Sequence, residues 1–96
     1  MELEQVKELL HNSHWVYEWS PAIGTVKRLD YWFNEDYFLK INSDSYGPCE
    51  IIQEEGAFLI TFHPYSPSDR LKIVEIEKDA LTLRQGNSIF LLRRIP

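Results

Sequence analysis

Apolar residues recur at spacings of three and four at the start of the chain and at a spacing of two almost everywhere after it. Leu3, Val6, Leu9 and Leu10, separated by Glu2, Glu4, Gln5, Lys7 and Glu8, predict a short amphipathic helix over 2–11. Glu4 and Glu8 each have Lys7 or His11 within helical reach. Asn12 and Ser13 end it. From there Trp15, Tyr17 and Trp19 alternate with His14, Val16 and Glu18, a strand with two unlike faces. Ser20-Pro21-Ala22-Ile23-Gly24 is a break, and Thr25 to Phe33 is a second strand with Leu29, Tyr31 and Phe33 on one face. Asn34-Glu35-Asp36 turns the chain into Tyr37–Ile41, and Asn42 to Pro48 has the composition of a turn. Cys49–Gln53 and Ala57–His63 are strands around Glu54-Glu55-Gly56. A loop over Pro64–Asp69 leads to Arg70–Glu77, Lys78-Asp79 turns into Ala80–Gln85, and Gly86-Asn87 is a two-residue hairpin turn into Ser88–Ile95.

One helix and about eight short strands follow, with turns every 8–12 residues or so, the rhythm of a sandwich or barrel. Short connections make sequence neighbours spatial neighbours, which is an antiparallel meander. A meander of that length hides its edges by closing on itself. The expected fold is all-β: a small antiparallel up-and-down barrel over 14–95 with the helix covering one end, a single domain spanning 1–96. A smaller sandwich or an open, bent sheet is the alternative, and an open sheet would pair its free edge with a second copy.

Composition narrows the function classes. The 96 residues are 44% hydrophobic and 26% charged, as in globular proteins and unlike disordered ones. The net charge of −5, without a basic cluster, argues against a nucleic-acid partner. No apolar run reaches the roughly eighteen residues of a membrane span. The single cysteine, Cys49, allows no internal disulfide, and the opening Met1-Glu2-Leu3-Glu4-Gln5 is unlike a secretory leader, so a cytoplasmic protein is expected.

The order of residues resembles the small bacterial lipocalin-like domains of the calycin superfamily. The resemblance runs over about 14–94. It rests on Trp15 in the first strand, Tyr31-Trp32-Phe33-Asn34-Glu35-Asp36-Tyr37-Phe38, Tyr46-Gly47 and Leu59-Ile60-Thr61. It also rests on the closing Ile73-Val74-Glu75-Ile76-Glu77-Lys78-Asp79-Ala80-Leu81-Thr82-Leu83 hairpin with Phe90-Leu91-Leu92-Arg93-Arg94. It implies a lipocalin-like barrel and a non-enzymatic binding role. It also implies that a late-strand arginine, Arg93 or Arg94, packs over Trp15.

Aromatic residues form 14% of the chain. A barrel of about eight strands has an interior just wide enough for side chains or one small ligand. Trp15, Tyr17, Trp19, Tyr31 and Phe33 therefore form either a packed core or the walls of a shallow pocket for a small apolar or amphipathic ligand, with tyrosine hydroxyls as polar handles. An outward aromatic face would instead make an interface. The alternative to ligand binding is a small acidic protein-interaction module, of inhibitor or immunity type, with a filled barrel and a basic partner. No nucleophile elbow, phosphate-cradling loop or metal-ligand spacing stands out. Ser66 and Ser68 sit in a proline-containing loop. His11, His14 and His63 read as solvated, as do Glu54, Glu55, Glu75, Glu77 and Asp79. No enzyme activity and no cofactor are expected.

Overall fold

The computed structural model describes residues 1–34, 38–42, 44–62 and 70–96. The predicted loop over Pro64–Asp69, His63, and the middle of the predicted turn before Phe38 lie outside them. Among the described residues, helix α1 (Leu3–Leu10) precedes eight strands: β1 (Ser13–Ala22), β2 (Thr25–Phe33), β3 (Phe38–Ile41), β4 (Asp44–Glu54), β5 (Ala57–Phe62), β6 (Leu71–Ile76), β7 (Ala80–Gln85) and β8 (Ser88–Ile95). Each pairs antiparallel with the next, and β8 returns to β1, closing an up-and-down barrel. The fold expected from the alternating pattern is the one observed.

Two strands run further than the turn chemistry suggested. The break at Ser20–Gly24 shrinks to Ile23-Gly24, because β1 continues through Pro21. The Arg94 N–H bonds back to Asp79 O, on the β7 side. Residue Arg93 therefore turns its main-chain groups to its β1 partner Val16, and the odd-numbered residues of β1 face β2. Pro21 has no N–H to donate and lies where the ladder slips, between Trp19 and Ala22. Similarly, the expected turn over Asn42–Pro48 is mostly strand, with β3 and β4 already paired at Ile41↔Asp44. The turn residues are absorbed by a register shift that sets Leu39 opposite Gly47 and Lys40 opposite Ser45, and by Asn42 in the left-handed region at φ 55°.

The core lies inside the barrel and under the helix. Val6 and Leu10 of α1 join Trp15, Tyr31, Phe33, Leu39, Ile51, Ile60, Leu71, Ile73, Ile76, Leu81, Leu83 and Leu92 in one buried cluster. Alternation explains the membership: Trp15 points in and His14 out, Leu92 in and Leu91 out. The helix is held over the end where β1 begins and β8 finishes. Its first turn is closed by the Glu2 N–H donating to Gln5 Oε1 at 2.7 Å. Its last carbonyls, which no helical N–H can reach, are taken by side chains of the barrel. Ser13 Oγ donates to Leu10 O at 2.6 Å, and Arg94 Nη1 donates to Leu9 O at 3.1 Å.

Candidate functional site

The five aromatic residues expected to form either a packed core or a pocket wall divide between the two ends of the barrel. Trp15, Tyr31 and Phe33 are buried toward the helix end, Trp15 with 0% exposure. The Trp15 indole N–H donates to Ser13 Oγ at 2.7 Å, the hydroxyl that itself donates to the helix. The Arg94 guanidinium carbon lies 5.5 Å from the Trp15 ring centroid. The arginine-over-tryptophan contact implied by the resemblance is therefore present, made by Arg94.

Tyr17 and Trp19 continue the inner face of β1 to the opposite end. The Tyr17 ring stacks on Trp19 with centroids 5.1 Å apart and meets Phe90 edge-on at 5.1 Å. Leu29 is half-buried alongside. Trp19 remains 37% exposed, so one aromatic wall of this mouth faces solvent. Phe90 is not among the site candidates read from the sequence; its place beside Tyr17 depends on the β8–β1 register, which no local pattern shows.

A polar cluster on the outer face of β1 and β2 corrects the reading of His14 as solvated. The His14 side chain is only 14% exposed. Its ring stacks on Trp32 at 3.5 Å between centroids, with the planes 12° apart, and Nε2 lies 2.6 Å from Asp30 Oδ1. Arg28 donates to the same carboxylate through Nη2 at 2.8 Å and Nε at 3.2 Å. The signal was there in the hairpin register, since His14 stands opposite Trp32 and Val16 opposite Asp30. It becomes visible only once the register is known. Next to this cluster an open cleft of about 440 Å³ is lined by Asn12, Ser13, His14, Trp32, Phe33, Asn34, Arg94, Ile95 and Pro96.

The Arg28 guanidinium holds the Asp30 carboxyl below its ordinary value, with His14 helping and partial burial opposing. A lowered carboxyl stabilises the fold fully above its unfolded value and loses that contribution as the pH falls through the lowered one. Asp30→Asn should therefore cost stability at neutral pH, and its deficit against the parent should shrink below about pH 4. Urea unfolding across that range checks this; a deficit that stays constant into acid would show that the carboxylate charge contributes nothing.

Glu54, Glu55, Glu75, Glu77 and Asp79 are exposed. Burial pushes the Cys49 thiol up to about 12, so it stays protonated and unreactive. Among the described residues, no three potential metal ligands come together. His63, Ser66 and Ser68 lie outside the described residues. No helix among them is long and apolar enough to cross a membrane. Comparison with known proteins finds no matching family model, no matching curated protein and no matching solved structure.

Proposed function

We propose that this chain is a lipocalin-like, non-enzymatic binding domain that takes a small apolar or amphipathic ligand at the barrel mouth opposite the helix. The observation that carries the reading is the half-open aromatic group of Tyr17, Trp19 and Phe90, whose rings contact one another and leave Trp19 partly uncovered. Large rings that face water recover hydrophobic free energy when a flat apolar ligand covers them. Trp15, Tyr31 and Phe33 lie deeper and serve as the floor. Tyr17 brings a hydroxyl for the polar end of an amphipathic ligand.

Titration with anilinonaphthalene sulfonate, an amphipathic aromatic probe, tests this. Binding should saturate, and Trp19→Ala should weaken it about tenfold, the equivalent of about 1.4 kcal/mol for one lost ring contact. Circular dichroism should show the fold unchanged. Equal affinity in parent and variant would end the mouth as the site. A second reading, the acidic protein-interaction module, draws on one further feature: the outer half of the β1–β2 hairpin is exposed on both faces, with Ile23 and Val26 uncovered at its tip. A protruding arm of this kind suits a protein partner better than a small molecule.

A further inference from the structure

The barrel is not closed along its whole seam. The β1–β8 ladder runs from His14↔Ile95 to Tyr17↔Leu92 and goes no further. Yet β1 continues to Ala22 and β8 begins at Ser88. Continuing the register would put Ser20 opposite Ile89, and no pairing is formed there. The strands part as a fork, and a cavity of about 220 Å³ lies at the point of divergence, lined by Val16, Glu18, Leu91, Leu92 and Arg93.

Main-chain direction decides what the fork presents. Gln85↔Ser88 closes the two-residue turn, so Ser88 and Phe90 direct their N–H and C=O groups to β7. Ile89 therefore directs its own into the fork. On the other side Ser20, next to the β2-facing Trp19, does the same, and Pro21 with the ladder slip between Trp19 and Ala22 marks the outer limit of that wall. Natural sheet edges are commonly guarded by lysine, proline or a bulge. The stretch Ser88-Ile89-Phe90-Leu91 has none of these, and Ile89 and Leu91 are 59% and 69% exposed.

We propose that this fork is a strand-addition site that takes an extended peptide segment of a partner protein, with apolar and acidic residues alternating. Unpaired main-chain groups on both walls specify an extended chain, which supplies the same groups in return. Inward residues of the peptide meet Tyr17, Trp19 and Phe90 and are apolar. Outward residues meet, on one wall, the exposed Ile89 and, next to it, Arg84, which stands opposite Ile89 on β7, and on the other wall Glu18, whose carboxylate is already paired with Arg93. Lys72 stands opposite Arg84 on β6, and no carboxylate lies within ion-pair distance of either among the described residues. Two cations face to face across a ladder repel, and a carboxylate placed beside them relieves it. The inference goes beyond the mouth-ligand reading and stands without it.

The test uses the intact chain, labelled with nitrogen-15, and a capped peptide of about seven alternating valines and glutamates, long enough to span the fork. Saturable shifts are expected at the Ile89 and Ser20 amides, with slowed hydrogen exchange at both. The same peptide N-methylated on both edges keeps its side chains but loses its donors, and should bind at least about tenfold more weakly. Arg84→Glu should weaken the glutamate peptide and favour one with lysines in its place. Equal binding of the N-methylated peptide, with shifts confined to Trp19 and Phe90, would overturn strand addition while leaving the mouth as an apolar site. Protection of Ile89 that grows with protein concentration alone would show that a second copy fills the fork, and would overturn the peptide. Absence of any shift at about millimolar peptide would overturn the site.

Discussion

Replacing Trp15 by alanine should lower the unfolding free energy by about 3–5 kcal/mol, the range for truncating a buried aromatic ring. The ring is fully buried and sits where the helix meets the barrel. Truncation opens a cavity between the Leu10 region of α1 and the inner faces of β1 and β8. It also removes the indole donor on Ser13 Oγ, which keeps only its own bond to Leu10 O. A domain of this size has a total stability of about 5–15 kcal/mol, so the variant should unfold at markedly lower urea concentration or temperature. Trp15→Phe separates the two contributions. It keeps most of the ring and loses the N–H, so it should cost about 1 kcal/mol for the hydrogen bond plus a smaller packing loss. A Trp15→Ala loss below about 1 kcal/mol would mean that the ring does not hold the helix end together.

The aromatic residues show how far a sequence of this kind can be read. The alternation of Trp15, Tyr17 and Trp19 with His14, Val16 and Glu18 predicts an inner and an outer face, and the burial of Trp15 and exposure of Glu18 follow it, whereas Val16, expected on the outer face, is only 1% exposed. Alternation says nothing about depth along the strand. Trp15 and Trp19 share a face and differ in burial because one lies under α1 and the other at the open mouth. Depth is set by strand stagger around the barrel, which is a property of the whole sheet. The His14–Asp30–Arg28 cluster escaped for a related reason: its members are scattered in sequence and are brought together by the β1–β2 register. Turn composition misled at Ser20–Ala22 and at Asp44–Pro48, since proline and glycine also serve bulges inside ladders. Only the positions where a strand is already paired on both sides decide between the two uses.

Arg94 should also prove costly to truncate, and for a reason its charge alone does not explain. It is half-buried at the end of β8, with its guanidinium over the Trp15 ring and Nη1 bonded to Leu9 O. Leu9 lies in the last turn of α1, where carbonyls have no helical donor and the helix dipole favours a cation. Arg94→Ala therefore removes a charged hydrogen bond, a cation over an aromatic face and the cover of the ring at once. About 1.5–3 kcal/mol is expected from the hydrogen bond to the charged group, with about 1 kcal/mol or less added by the ring contact. Arg94→Lys keeps the charge but lacks the planar fork that can lie on the ring and reach the carbonyl together, and should recover less than half of the loss. A double-mutant cycle with Trp15→Phe measures the coupling, since Phe preserves a weaker aromatic face beneath the cation. Full recovery by lysine would reduce the arginine to a simple charge at the helix end. Partial recovery, with a coupling of a few tenths of a kcal/mol or more, would make the Trp15–Arg94–Leu9 chain the physical link between helix and barrel.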